Sequence, residues 1–137
     1  HNGKHYQVHN AQLLPRPVQS RIPIWVAGTW PHPRPFRRAA RWDGFFADVE
    51  GVDWTQGQIQ TPAQLRAMVD FVRTLRPIDE TFDVVIGGST PRNPTEGASF
   101  LAPYVAAGLT YWIEAIHPMF GTLEEFRAKL RQGPPRR

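Results

Sequence analysis

Short apolar segments alternate with amphipathic ones along this chain of 137 residues. The apolar segments are 22–27, 43–47, 82–86 and 109–114. Two of them, 22–27 and 82–86, are apolar on both faces, which is typical of parallel strands that are covered on both sides. We therefore predict that these segments form the strands of a parallel sheet.

The segments between the strands carry the start and stop signals of helices. Pro35 suits the first position of a helix over 36–41. Thr61 and Gln64 form a predicted capping box that opens the next helix. The apolar stripe of that helix recurs at helical spacing and should pack inward. It consists of Leu65, Met68, Val69, Val72 and Leu75.

Two further helices are predicted in the second half of the chain. One covers 100–107 and stops at Gly108, with Pro103 starting a fresh turn. The other opens with a capping box of Thr122 and Glu125 and ends at Gly133. The result is a regular alternation of strand and helix.

This alternation predicts an α/β fold with a parallel sheet and right-handed crossovers. It leaves open a small doubly wound sheet and half of an eight-stranded barrel. Residues 1–20 are predicted to be an extended lead-in, because Pro15 and Pro17 hold their predecessors extended; residues 21–137 hold the strand–helix units. The chain begins at His1 without a start Met or a preceding strand, so we expect it to be the second half of a longer protein.

The formal net charge of +4 is carried almost entirely by arginine. The arginines are scattered, which argues against a nucleic-acid interface. A local cluster is the exception and has a phosphate as its natural partner; it consists of Arg34, Arg37, Arg38 and Arg41. Cysteine is absent, the histidines show no metal-ligand spacing, and no apolar stretch could span a membrane. We expect no metal site and a cytoplasmic location.

An ordered series of segments carries a resemblance to a known family. The segments are Gly3-Lys-His-Tyr6, Pro15-Arg-Pro-Val-Gln19, Ile22-Pro-Ile-Trp-Val-Ala-Gly28, Arg38-Ala-Ala-Arg-Trp-Asp-Gly44, Asp83-Val-Val-Ile-Gly-Gly88 and Tyr104-Val-Ala-Ala-Gly-Leu-Thr-Tyr-Trp-Ile-Glu114. In order and spacing they resemble the carboxyl-terminal half of the bacterial luciferase-like flavin-dependent monooxygenases and their deazaflavin-dependent relatives.

The resemblance implies strands five to eight of a (β/α)8 TIM barrel with their helices. It implies a flavin oxidoreductase that uses FMN or a deazaflavin coenzyme and a small organic substrate. Half of the barrel would be missing, so we expect the fragment to contribute the flavin-phosphate side and to be inactive alone.

Candidate cofactor-binding residues follow the strands. Gly28 and Thr29 offer backbone donors and a hydroxyl to a phosphate, although a plain turn explains Gly28 equally well. The resemblance places the flavin phosphate near this loop and near 47–51, where the acidic Asp48 and Glu50 depart from the expected pattern. Arg34 is the arginine nearest the loop.

A competing phosphate site follows the third strand, where barrel enzymes often bind phosphate. It consists of Gly87, Gly88, Ser89 and Thr90. Substituting Gly28 with Val is expected to abolish flavin binding and to leave the fold largely intact; unchanged affinity would favour this second site.

Five tryptophans, one tyrosine and three polar residues complete the predictions. Trp30 and Trp54 lie in predicted loops and are candidates for stacking on a flavin ring or lining a substrate pocket. Glu114 and His117 follow the last strand and are the catalytic candidates. Asp43 is expected to pair with a helix arginine, Arg38 or Arg41. The rings expected to fill the barrel core or the helix layer are Trp25, Trp42, Tyr111 and Trp112.

Two alternatives remain open beside the enzyme fragment. A half-barrel exposes two strand edges and an apolar inner face, so a non-catalytic remnant would self-associate or bind a phosphorylated ligand. We expect homo-oligomers in either case. The other alternative is a basic module that binds phosphorylated ligands or nucleic acid, with strong salt dependence.

Overall fold

The structure, a computed structural model, describes residues 1–12, 14–76 and 81–135. Leu13 of the predicted lead-in and the terminal Arg136 and Arg137 lie outside these ranges. Within them, the strands are β1 (Trp25–Trp30), β2 (Gly44–Val49), β3 (Asp83–Gly88) and β4 (Tyr111–Glu114). The α-helices of the described ranges are α1 (Pro33–Ala39), α2 (Pro62–Arg73), α3 (Pro94–Ala106) and α4 (Leu123–Gln132).

The sheet order is β1-β2-β3-β4, and every neighbouring pair is parallel. Each crossover therefore advances by one strand in the same direction, as right-handed connections with helices on one face do. A doubly wound sheet reverses its strand order at a switch point. The described strands show no such reversal, so the predicted α/β parallel sheet is confirmed in a singly wound form.

The core lies between the sheet and the helices. Alternate strand residues point towards it, among them Val26, Phe45 and Ile86, and pack with the buried stripe of α2. That stripe matches the prediction at Leu65, Met68, Val69 and Val72. Leu75 lies beyond the helix end and is exposed, so its predicted inward packing is wrong.

The opposite side of the sheet is a largely uncovered apolar surface, which we call the open face. It consists of Trp25, Phe46, Tyr111 and Ile113, which are 38–50% exposed. The expectation that both faces are covered is therefore wrong for β1, whereas β3 meets it, because Val84, Val85 and Ile86 are all buried. Among the rings expected in the barrel core or the helix layer, Trp112 packs against Phe100 and Tyr104, and Trp25 and Tyr111 pack against each other on the open face. Trp42 is exposed.

The open face is concave. The ring centroids of Trp25 on β1 and Tyr111 on β4 are 5.2 Å apart, although two strands separate them. In a flat sheet these strands would be about 14 Å apart. The indole lies across Gly44, where an added Cβ would be 2.8 Å from Trp25 Cδ1, and its Nε1 donates to Asp83 Oδ2 at 2.9 Å. Curvature and the missing side chain at Gly44 together let the rings meet.

Element boundaries differ from the predictions mainly at strand and helix starts. β1 begins at Trp25, leaving Ile22 and Ile24 exposed outside the sheet. β2 continues to Val49, and α1 begins at Pro33. The predicted strands at 82 and 109 begin at Asp83 and Tyr111.

Helix α3 begins earlier than predicted, at a cap formed by Asn93 and Pro94. Asn93 accepts a hydrogen bond from the Thr95 backbone N–H, and Pro94 occupies the first turn. Pro103 lies inside this helix rather than starting a new turn. Both predicted capping boxes, at Thr61 and Thr122, are present.

Asp43 binds the segment before β1 and not helix α1. Its Oδ1 accepts from Arg21 Nη1 at 2.5 Å, and its Oδ2 accepts from the Ile24 backbone N–H at 2.7 Å. The predicted pairing with Arg38 or Arg41 is wrong. Arg21 and Asp43 precede neighbouring parallel strands, so they lie at the same end of the sheet. The Ile24 hydrogen bond is the main cause that lowers the pKa of Asp43.

Candidate functional site

The carboxyl ends of the strands meet at one edge of the sheet, where ligands of parallel α/β folds collect. Thr29 of β1 pairs in register with Asp48 of β2, and Gly88 of β3 pairs with Glu114 of β4. Two concavities at this edge contain all of the predicted cofactor-binding residues except Trp30 and Thr90.

The first concavity, which we call the β1 depression, is formed by β1 and the segment that follows it. It is lined by Ala27, Gly28, Thr29, His32, Pro33, Arg34 and Pro35. Thr29 and Arg34 are exposed, and neither side chain bonds another described residue. These unpaired groups could receive a phosphate oxygen.

Gly28 serves packing at this depression. A Cβ at this position would lie 2.5 Å from Pro35 Cβ, so the missing side chain lets the start of α1 lie against β1. The expectation that Val at this position leaves the fold largely intact is therefore wrong. A loss of binding in that variant would not identify a phosphate contact.

The second concavity, which we call the mouth pocket, lies at the carboxyl ends of β2, β3 and β4 and has a volume of about 290 Å³. Its lining is Phe46, Asp48, Trp54, Gly57, Gln58, Ile59, Gly87, Gly88, Ser89, Ile113, Ala115 and Phe120. Asp48 is the one ionisable residue in this lining. It forms no hydrogen bond or ion pair with a described residue.

Gly87 and Gly88 have different surroundings. A Cβ on Gly87 would make ordinary contacts, 3.4 Å from the Ile113 carbonyl oxygen and 3.8 Å from the Phe46 ring. A Cβ on Gly88 would lie 2.7 Å from Ile59 Cγ2 and 2.8 Å from Trp112 Cη2. Packing against Ile59 and Trp112 therefore requires a glycine at position 88. At position 87 the missing side chain leaves space that a ligand could occupy.

The carboxylate of Glu114 is surrounded by donors. It accepts from Lys129 Nζ at 2.6 Å, from Trp112 Nε1 at 3.0 Å, and from Thr90 through Oγ1 at 2.9 Å and the backbone N–H at 3.1 Å. Lys129 also donates to the Thr90 carbonyl at 2.7 Å. These bonds join β4, the loop after β3 and α4. They give Glu114 a structural task, and it does not line the mouth pocket.

His117 lies outside the mouth pocket and is exposed. Its Nδ1 accepts from the Met119 backbone N–H at 3.3 Å, capping a short 3-10 turn at Pro118–Phe120. That turn brings Phe120 to the pocket wall. The structure therefore does not bring the two catalytic candidates together in one concavity.

The two tryptophans predicted to stack on a ligand differ in position. Trp30 is the last residue of β1 and packs against Phe36 and Phe71, at centroid distances of 5.4 and 5.7 Å. Its ring belongs to the core side of the sheet. Trp54 is 57% exposed and lines the mouth pocket, as a stacking residue should.

Sequence reasoning missed several pocket residues. The sequence pattern places Phe46 and Ile113 in buried strands, and it does not single out Gln58, Ile59 or Phe120. The alternation of side chains along β2 carried a usable signal, since Phe46 and Asp48 must share a face. Phe120 had no comparable signal because its place depends on the turn that His117 caps.

Within residues 1–12, 14–76 and 81–135, no helix is long and apolar enough to cross a membrane. The same residues contain no group of three or more metal-ligating side chains arranged around a common point. Comparison with protein-family models, curated proteins and solved structures found no match to this chain.

Proposed function

We propose that this chain is the carboxyl-terminal half of a luciferase-like flavin-dependent oxidoreductase and supplies strands five to eight of a (β/α)8 barrel. It would contribute the flavin-phosphate side of the site and be inactive alone. The observation that carries the proposal is the singly wound sheet, concave on the face without helices, with a pocket at its carboxyl edge. A cytoplasmic location belongs to the same proposal.

The architecture supports a barrel half on three counts. Strand order advances without reversal, and the helices of the core pack on one side of the sheet. The other side is concave and apolar, as the inside of a barrel is. β1 and β4 each pair with one strand among the described residues, which leaves the two edges that another half would join.

The residues at the β1 depression fit the phosphate end of FMN or a deazaflavin coenzyme. Thr29 supplies a hydroxyl and Arg34 a guanidinium, and both are exposed and unpaired among the described residues. Such a cofactor supplies the electron transfer, and these side chains would bind and orient it. Asp48 does not fit a phosphate contact, because two negative groups would repel each other.

The test compares FMN with riboflavin, which lacks the phosphate, in fluorescence titrations of the 137-residue chain. We expect FMN to bind about tenfold more tightly, as one charge-assisted contact allows. Arg34→Gln should remove that difference. Arg37→Gln, an equal charge change on exposed α1 outside the depression, should retain it. Equal binding of FMN and riboflavin, or binding of neither, would overturn the proposal.

A second candidate function is a non-catalytic remnant whose open face is covered by another copy of the chain. The exposed apolar side chains of that face favour it, since monomeric proteins rarely leave such a surface uncovered. This candidate predicts a mass above that of the monomer and no phosphate-dependent preference for flavin. The FMN titration distinguishes the two candidates, because oligomers are expected in either case.

A further inference from the structure

We infer that the mouth pocket binds its organic ligand as a small planar aromatic amine, with the protonated amine at Asp48 and the ring against the apolar wall. This inference rests on the proposed function, because it names the substrate class of that site. Its binding test contains no flavin, so the two can fail separately.

The walls of the pocket are suited to a flat apolar group. Phe46, Trp54 and Ile113 line it and are 38%, 57% and 44% exposed, so much of their apolar surface is in contact with water. Phe120, which follows β4 in the sequence, also contributes to this wall. An aromatic ligand would remove these surfaces from water, and aromatic side chains favour stacked or edge-on contact with its ring.

The charge of the pocket lining determines which charge a bound ligand should carry. Asp48 is exposed, unpaired among the described residues, and the single ionisable residue of the lining. His32 lies in the β1 depression, where its Nε2 is 3.5 Å from Glu50 Oε2. No arginine, lysine or histidine of the described chain lines the mouth pocket. A cation is attracted to this pocket and an anion is repelled.

Neutral hydrogen-bonding groups are available beside the carboxylate. Ser89 offers a hydroxyl, and Gln58 accepts from the Asp53 backbone N–H through Oε1 at 3.0 Å, which fixes its amide. The volume of about 290 Å³ is at the small end of the range of roughly 300–1,000 Å³ for ligand pockets. It therefore suits a one- or two-ring molecule rather than a whole flavin coenzyme.

The experiment uses three probes that share an indole ring: tryptamine, neutral 3-methylindole and anionic indole-3-propionate. Their affinities for the full chain are measured by ligand-detected NMR without flavin. We expect tryptamine to bind about fivefold more tightly than 3-methylindole, the upper range for a solvent-exposed ion pair, and indole-3-propionate to bind most weakly. Equal affinities, or no detectable tryptamine binding, would overturn the inference.

Two variants identify the charge responsible. Asp48→Asn should remove the preference for tryptamine and leave 3-methylindole binding unchanged. Glu50→Gln makes the same charge change two residues away, outside the lining, and should retain the preference. An equal loss in both variants would indicate a general field effect and would overturn the inference.

A third variant tests the location. Gly87→Ala adds a methyl group in ordinary contact with Phe46, so it narrows the pocket without a packing clash. It should weaken the binding of all three probes, and unchanged affinities would overturn the inference. The FMN titration is scored separately: its failure with an intact tryptamine preference overturns the proposed function alone, and the reverse result overturns this inference alone.

Discussion

The ammonium nitrogen of Lys129 lies 2.6 Å from Oε1 of Glu114, and this pair holds α4 against the end of β4. Both side chains are mostly buried, at 19% and 26% exposure. The same carboxylate accepts from Thr90, whose own carbonyl accepts from Lys129. This carboxylate and this amine therefore join the last helix to the ends of two neighbouring strands.

We expect Glu114→Gln and Lys129→Met each to lower the free energy of unfolding by about 1–3 kcal/mol, because each leaves a partly buried polar partner unsatisfied. The double variant should cost less than the sum of the two, since it leaves neither charge without its partner. Urea unfolding followed by circular dichroism measures all three. A single variant within about 0.5 kcal/mol of the wild type would contradict the structural assignment of Glu114.

Neighbouring glycines at the end of β3 should respond in opposite ways to the same substitution. Gly88→Ala forces its methyl group against Ile59 and Trp112 and should cost about 1–3 kcal/mol of stability. Gly87→Ala meets only ordinary contacts and reduces the entropy of the unfolded chain, so its stability should be unchanged or slightly higher. Thermal unfolding of both variants provides the comparison, and equal losses would contradict it.

How far the sequence predicts this fold depends on whether a signal is local. The capping boxes at Thr61 and Thr122 are complete in sequence, and both helices begin where they indicate. The start of β1 is set by pairing instead: Trp25 lies opposite Gly44, and the equally apolar Ile22 has no strand beside it. Apolar segments therefore revealed the strands but not their ends.

The candidate site shows the same division. Gly87 and Ser89 are predictable because they follow a strand and strand ends share an edge, whereas Asp48 enters the prediction only through the family resemblance. Glu114 also follows a strand, but its role depends on Lys129, which is 15 residues away in sequence and could not be paired with it by spacing. Contacts between segments distant in sequence determine which polar side chains remain available to bind a ligand.

Asp43 should make the stability of the folded protein depend on pH in the acidic range. Its pKa is lowered in the folded state, chiefly by the Ile24 backbone N–H and also by Arg21. The stabilisation is therefore present above the ordinary value of 3.8 and is lost as the pH falls through that value towards the folded pKa. We expect Asp43→Asn to reduce the fall in unfolding temperature between about pH 5 and about pH 3.

The control for this measurement is Asp70→Asn. Asp70 is exposed on α2 and has Arg73 at 3.7 Å as its ion-pair partner. This variant should retain the wild-type pH dependence. A wild-type slope in Asp43→Asn would show that the Asp43 contacts contribute nothing to acid sensitivity.

The open face makes the state of association the most informative property of the isolated chain. Trp25, Phe46, Tyr111 and Ile113 expose apolar surface on a concave sheet with two unpaired edges among the described strands. Another copy that covers this surface removes it from water and satisfies the strand edges. We therefore expect sedimentation equilibrium to show concentration-dependent oligomers.

Ile113→Lys tests whether this face is the contact, because a charge there must lose water when another copy covers it. We expect the dissociation constant to rise by tenfold or more, as for a central interface residue that contributes about 1.4 kcal/mol or more. Leu130→Lys introduces the same charge at a 63% exposed position on α4 and should leave association unchanged. Circular dichroism verifies that both variants remain folded. A wild-type chain that stays monomeric at every concentration, or equal weakening by both substitutions, would show that the open face is not where copies meet.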